Sequence, residues 1–525
     1  MRRLAGSPTR QPRWGALAWL SAGATAFCLL SIFNCGGYRY GAADQAFYIP
    51  AILQHLDPSL FPHDRSLFSA QDRLSLFNRA VAPVMAASGV SLPVLFLLAY
   101  VAGLLLLFGG GIRIGRIWYQ SWWTVAALAL VLTLRHRLTQ TGVNTLEAYL
   151  HPRMLAFGVG LWSISSFLKG NDRRALALVA LAGALHPTTA IWFGVWVWVG
   201  VIVSKRSDPR HLPVLLGATL LVAAAGLWAI WRGPLSGGPP MLVRMDPEWA
   251  SVLAGKDYVF PSDWGPSFWL VNVGYLAVIL PVYRYRLQHQ RTLAREDGLV
   301  AGACALVVLF LLSWPLASAR IAVVIQLQVS RVFWMLDFLA ALYLVWLGVE
   351  GRTLNVELRT QNVEVRTGNV RRWVVATIAA IAVVRGGYVM WIEHADAPIV
   401  RMNLAPGDWT DVMGWVARTP KGVHILTDPG HVYKYGSSVR VAGQRDVLLE
   451  EVTDTAMGLY ARESAMRVLQ RIRDLQNFDE LTVERAGELA AKYDLDYLVI
   501  DRALSLPVAY RNDRFWVYEL ASSKF

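Results

Sequence analysis

From Trp14 to about Trp391 the chain is a succession of apolar blocks separated by short polar segments, and from about Asp396 to Phe525 it reads as a water-soluble domain. Hydrocarbon about 30 Å thick needs about 20 apolar residues of helix to cross it. Measured with that length, the blocks predict spans near 14–33, 82–108, 117–134, 154–168, 175–203, 213–231, 267–283, 298–318, 332–349 and 373–391. The block at 175–203 is too long for one helix. It is interrupted by His186-Pro187, where proline removes a backbone donor and disfavours helix before it. Splitting the block there gives about 11 spans in all. The first apolar run is longer than the roughly 7–15 residues of a signal-peptide core, so an uncleaved first helix is expected.

Charge tests the orientation. With the N-terminus inside, the inner segments hold Arg2, Arg3, Arg10 and Arg13, then Arg113 and Arg116, then Lys169, Arg173 and Arg174. Lys205, Arg206 and Arg210 follow, then Arg284, Arg286, Arg291 and Arg295, and last Arg352, Arg359, Arg366, Arg371 and Arg372. Every inner loop is basic, as the positive-inside rule requires. The agreement holds only if 175–203 crosses twice, and it places the C-terminal domain outside.

The outer segments then carry what a membrane does not ask for. A long first loop, 34–80, contains Asp44, Asp57, Asp64 and Asp72, and a second, 135–153, is dense in ionisable groups. A third, 232–266, has Trp249, Tyr258, Phe260 and Trp264, and a fourth, 319–331, holds Arg320, Gln326, Gln328 and Arg331. The inner loop 350–372 repeats every seven residues from Asn355, Asn362 and Asn369 without an apolar seam, which reads as a duplicated linker rather than a coiled coil. In the last domain, the runs 423–429, 495–502 and 514–520 read as strands and 453–476 and 482–493 as helices, giving a small α/β fold.

Composition narrows the function classes. The chain is 55% hydrophobic and only 17% charged, against about a quarter charged in soluble proteins. Its net charge of +13 is spread over short inter-span clusters and forms no single basic face, which excludes nucleic acid as the natural partner. The three cysteines, Cys28, Cys35 and Cys304, have no metal-ligand spacing.

Candidate chemistry starts at Asp44, about ten residues past the first span and followed by QAFYIPAILQHL, a stretch suited to lying in the interface. The plainer role is capping that helix. Arg137, Arg153, Arg320 and Arg331 are outer arginines that topology did not need, and a planar guanidinium suits a phosphate. Snorkelling to headgroups is their ordinary alternative. His186 is an ionisable group at a helix break, either functional or satisfying carbonyls freed by Pro187. Glu147 and His151 share a helical spacing, and as a metal pair they are too few.

A first span, a large outer loop opening on an acidic residue and an amphipathic helix, a bundle of about 11 helices and an outer C-terminal domain together resemble the GT-C class of membrane glycosyltransferases. The topology is also similar to that of a bacterial membrane-protein family without an assigned activity. The GT-C resemblance implies transfer of a sugar from a polyprenyl-phosphate carrier to an envelope acceptor at the outer face of the membrane. It implies Asp44 as the catalytic base or acceptor-orienting residue. Many members carry two adjacent acids there, whereas Gln45 follows Asp44 in this chain.

The expectation is therefore an all-α polytopic membrane bundle of about 11 helices, N-terminus in and C-terminus out, followed by a small α/β extracytoplasmic domain. Residues 1–13 form a cytoplasmic tail, 14–395 the membrane domain and 396–525 the outer domain of a bacterial inner-membrane protein. Asp44 is the catalytic candidate, and Asp57, Asp64, Arg153, His186, Arg320, Gln328 and Arg331 are substrate-binding candidates. Membrane lipid and a polyprenyl-phosphate-linked sugar are the expected partners. A cofactor is left open, a divalent metal included, with no ligand spacing to indicate one. Two rival classes stand beside the enzyme: a transporter or flippase using the His186 break, and a non-catalytic envelope-assembly scaffold.

Overall fold

The computed structural model describes residues 13–72, 76–206, 210–231, 242–351 and 363–520. Arg2, Arg3, Arg10, Arg352, Arg359 and the repeat starts Asn355 and Asn362 lie outside the described residues, while Asn369 falls within the helix Val363–Tyr388.

The protein is mostly helical, and among the described residues eight helical stretches are long and apolar enough to cross a membrane. They are Leu17–Asn34, Leu92–Trp118, Pro187–Lys205, His211–Trp228, Pro266–Gln288, Glu296–Ser318, Ala322–Gly351 and Asn369–Glu393. The other three expected spans are helices of 11, 17 and 14 residues, Trp122–Leu132, Pro152–Leu168 and Asp172–Leu185. At 1.5 Å per residue, the last is about 21 Å long, short of a full hydrocarbon crossing. Ala322–Gly351 is the centre of the bundle, with 78% of its window buried, whereas nothing in the window of His211–Trp228 is buried. Such a helix, apolar on every side and touching only along one edge, where Trp198 of Pro187–Lys205 donates to Thr219 at 2.7 Å, suits a lipid surround.

Two boundaries differ from expectation. The span expected at 82–108 runs from Leu92 to Trp118. Phe77–Ser88 is a separate helix, closed by Gly89 at φ 67°, a left-handed turn that glycine adopts without strain. The block at 175–203 breaks at His186, but the break is the turn of a helical hairpin. His186 therefore sits at the end of the bundle shared with His151, whose ring centroid is 5.8 Å away, and not at mid-membrane.

The C-terminal region carries a five-stranded sheet in the order Asp446–Val447, His424–Thr427, Tyr497–Ile500, Trp516–Glu519, Val508–Arg511. The first two pairings are parallel and the last two antiparallel. Central His424–Thr427 is buried throughout, as a strand covered on both faces must be. The expected helix at 453–476 is two, Glu451–Met457 and Arg462–Asp474, and the segment between them turns toward the membrane bundle.

This region is locked to the first loop and the third. Asp446 accepts the backbone N–H groups of His63 (2.9 Å) and Asp64 (3.1 Å). Trp249 donates its indole N–H to the Gly458 carbonyl at 2.8 Å, and Gln326 donates to the Leu459 carbonyl at 3.1 Å. Tyr38–Arg39 pairs in parallel with Val400–Arg401, tying the exit of the first helix to the domain's entrance. Met245, Trp249, Phe260 and Ile325 share one apolar core with Leu448, Leu459 and Val468.

Candidate functional site

Two sequence fragments of the same form, His151-Pro152 and His186-Pro187, each begin a helix with proline in its first turn, where a missing N–H costs nothing. Each histidine is the N-cap. His151 Nδ1 accepts the Arg153 N–H at 3.1 Å, and His186 Nδ1 accepts the Thr189 N–H at 3.4 Å. With Nδ1 an acceptor in both, Nε2 carries the proton of each neutral ring. His151 Nε2 then donates to Asp44 Oδ2 at 3.0 Å.

Asp44 occupies the N-cap position of Gln45–Leu56 but makes no side-chain cap hydrogen bond. Its carboxylate faces His151 and Arg153 instead, with Arg153 Nη2 3.7 Å from Oδ2 and the Tyr149 hydroxyl at 3.4 Å. Gln45 explains why a second acid is not needed here for structure. Its side chain accepts the Gly41 N–H at 2.6 Å and donates to the Leu150 carbonyl at 3.2 Å, joining the loop at 34–80 to that at 135–153. Arg153 is held from behind by Glu147 at 2.7 Å, and Glu147 also receives the Asn144 amide at 3.2 Å.

Arg331 comes from the kink that precedes the central helix. Gln328, at φ 50° and ψ 57°, takes the left-handed conformation without being glycine, a strained state that ends Ala322–Leu327 and turns the chain. Among the described residues no carboxylate lies within ion-pair distance of Arg331. Its guanidinium is 6.0 Å from the Tyr258 ring, and its Nε is buried with no partner. Arg153 Nε is likewise buried and unpartnered.

These groups line one cavity of about 70 Å³, together with Tyr48, Tyr258 and Tyr460. Two arginines and one carboxylate face it, with Glu147 behind Arg153. Burial pushes the Asp44 pKa up, but the His151 hydrogen bond and the charges of Arg153 and Arg331 outweigh it and hold Asp44 below the ordinary carboxylate range. Burial and then Arg153 lower the pKa of His151 to about 3, so this imidazole is neutral at physiological pH. Chemically, the cavity offers a fixed carboxylate, a neutral N–H donor and an arginine with unspent donors, which is a place for an anion beside a hydroxyl.

Asp44, Arg153, His186, Gln328 and Arg331 are brought together here, and Asp57, Asp64 and Arg320 are not. Asp57 pairs with Lys421, and Arg320 pairs with Asp263 at 3.0 Å while lying over Phe260. Asp64 is fully buried against Arg440 (2.7 Å), Arg467 and Arg471. Tyr48 and Tyr460 were not among the candidates, and His151 was weighed only as half of a metal pair with Glu147. The repeated His-Pro dipeptide is the signal that points to His151, and Gly458 marks the helix break that delivers Tyr460. Among the described residues no group of three or more His, Cys, Asp or Glu is arranged to hold a metal ion.

No protein-family model matches the chain, and no curated protein matches it. Among solved structures it is similar to the oligosaccharyltransferase of Archaeoglobus fulgidus in its apo form, at 13% identity and a TM-score of 0.46, over 93% of this chain and 70% of that one. A likeness at that level assigns no role to any residue of this chain, and the cavity's own geometry must supply them.

Proposed function

We propose that the protein is a GT-C-like membrane glycosyltransferase that moves a sugar from a polyprenyl-phosphate carrier to an envelope acceptor at the outer face of a bacterial inner membrane. The observation that carries this reading is the convergence of Asp44, Arg153 and Arg331, from three separate outer segments, on one cavity at the membrane end of the C-terminal domain. Sidedness has its own support. At the opposite end of the bundle, Arg295 pairs with Asp172, Lys205 lies 3.9 Å from Asp172, and Arg206 lies 3.7 Å from Asp297. The basic loops thus gather away from the cavity, as the positive-inside rule requires if the cavity faces out.

In the transfer, an acceptor hydroxyl attacks the anomeric carbon as the bond to the carrier phosphate breaks. The departing phosphate takes the electron pair of the broken bond, and the acceptor's proton, strongly acidic once the new C–O bond has formed, passes to Asp44 and on to water. Arg331, with free donors, binds the phosphate oxygens on which negative charge builds, an interaction stronger in the transition state than in the ground state. Asp44 is held ionised and acidic by its neighbours, which suits it to orienting the acceptor hydroxyl and stabilising positive charge on the sugar more than to strong proton abstraction. His151 fixes the carboxylate through its Nε2–H.

The test is transfer of radiolabelled sugar from synthetic polyprenyl-phosphate hexoses by the purified protein in nanodiscs. A covalent product in the wild type, lost in Asp44→Asn with folding and insertion intact, is the expected result. Substrate flux across liposomes without any covalent product would replace transfer by transport.

A further inference from the structure

Away from the cavity, a groove of about 670 Å³ runs along the side of the bundle between Pro266–Gln288, Val332–Trp346 and Val363–Tyr388. Its lining is mostly apolar, and small residues, Gly274, Ala340, Ala341 and Gly348, open the space. From Asp337 to Gly348 is eleven helical steps of 1.5 Å, so the groove is roughly 17 Å long and lies within the span. Leu270, Val271 and Leu344 at its edges are 75%, 56% and 51% exposed, which makes the opening one toward lipid rather than protein.

One polar feature interrupts it. Asp337 stands six residues after Arg331 in the central helix, and its Oδ2 lies 2.9 Å from His136 Nδ1. Tyr275 lines the groove beside them. An ionisable pair in a membrane span is costly and therefore calls for a function. Pinning the second outer loop to the central helix accounts for the contact. It does not account for the void alongside, into which the pair keeps 25% (His136) and 14% (Asp337) of its side-chain surface.

The chemistry of the pair selects a ligand. His136 and Asp337 share one hydrogen bond and leave an imidazole edge and a carboxyl oxygen side by side at the groove, a donor next to an acceptor. Arg385 is occupied by the Asn34 carbonyl at 3.0 Å and its side-chain oxygen at 2.8 Å. A phosphate here would set a second anion against Asp337 in a low-dielectric surround. A hydroxyl or amide both donates and accepts, and brings no charge.

We propose that this groove is a lipid site distinct from the Asp44 cavity. It holds one hydrocarbon chain whose uncharged hydroxyl or amide head hydrogen-bonds the His136–Asp337 pair. The site does not depend on sugar transfer and would stand if that reading fell.

The experiment uses the full chain in nanodiscs with two probes, tetradecanol and tetradecyl phosphate, each carrying a diazirine in mid-chain. After irradiation, labelled peptides are mapped by mass spectrometry. The alcohol should label the 337–349 segment about fivefold or more above the lipid-facing 211–231 helix, equivalent to ~1 kcal/mol of preference. The phosphate should not exceed that background. Asp337→Leu should abolish the preference for the alcohol. Gly348→Phe should do the same without touching the pair, because a Cβ at Gly348 meets no heavy atom within 4 Å and the ring can occupy the groove. Equal labelling of the two segments, groove labelling by the phosphate equal to that by the alcohol, or unchanged labelling in a folded Gly348→Phe protein would each overturn the proposal.

Discussion

Two clusters of arginine and carboxylate lie where the long loop at 34–80 meets the C-terminal region, and they are built in opposite ways. In the first, Arg440 donates to Asp64 at 2.7 Å and to both oxygens of Asp454 at 2.6 and 3.0 Å, with Glu450 at 3.4 Å. All four side chains are buried, and Arg467 and Arg471 also meet Asp64, so three arginines face three carboxylates. In the second, Arg331 meets no carboxylate among the described residues, two guanidinium nitrogens lack partners, and a cavity remains. Residue type does not separate the two clusters, but charge pairing does: Glu450 Oε2 lacks a hydrogen bond yet lies 3.4 Å from Arg440 Nη1, whereas no carboxylate among the described residues lies within ion-pair distance of Arg331. A closed network holds two pieces of chain together, and an open one has capacity for something that is not protein.

The sharpest way to break this comparison is to remove one partner from the closed network. Asp64→Asn removes the carboxylate that Arg440, Arg467 and Arg471 share, leaving three arginines against Asp454 and Glu450, which costs about 3–5 kcal/mol. It should lower the unfolding temperature and release residues near 440–475 to hydrogen exchange. A stability unchanged from wild type would make the two clusters equivalent. Asp44→Asn should show the reverse pattern. Loss of a positioned charge at a reacting centre lowers transfer by about a hundred- to a thousandfold, or ~2.7–4 kcal/mol of barrier. Its melting temperature should stay close to that of wild type.

A smaller effect sharpens the contrast through pH. His151 titrates at about 3 in the folded protein against its ordinary 6.5, so folding favours the neutral ring. That stabilisation is complete above about pH 6.5 and is lost as pH falls toward 3. At 1.36 kcal/mol per unit, it amounts to about 2 kcal/mol by pH 5. Wild type should therefore lose more stability than His151→Gln between pH 6.5 and 5, as read by tryptophan fluorescence during thermal unfolding. Parallel pH curves for the two proteins would remove His151 as a neutral donor to Asp44.

The helical membrane architecture was legible because the hydrocarbon thickness imposes a length, and length is visible in a sequence. Boundaries were less so. From Ala82 the apolar run continues through Ser88 into the span after it, and the left-handed Gly89 and Pro93 mark where one helix ends and the next begins. Pro187 disclosed a break but not its depth, because depth depends on where the short helix Asp172–Leu185 ends relative to its neighbours. Asp44 and Arg331 stood out as charges that topology did not require. Asp64 stood out for the same reason, yet its partner Arg440 lies 376 residues away, and an acid that closes a network looks in sequence like one that opens a site. Tyr460 had no chemical signal of its own, since its place in the cavity follows from how the C-terminal region docks.

The central claim is that the open cluster binds the carrier's phosphate through Arg331. Native mass spectrometry of the full chain with a short-chain polyprenyl phosphate, in wild type and Arg331→Gln, tests it without knowledge of the sugar. The account predicts that the substitution weakens binding by about tenfold or more, ~1.4 kcal/mol, while Arg320→Gln leaves it unchanged. Equal affinity in wild type and Arg331→Gln would contradict it.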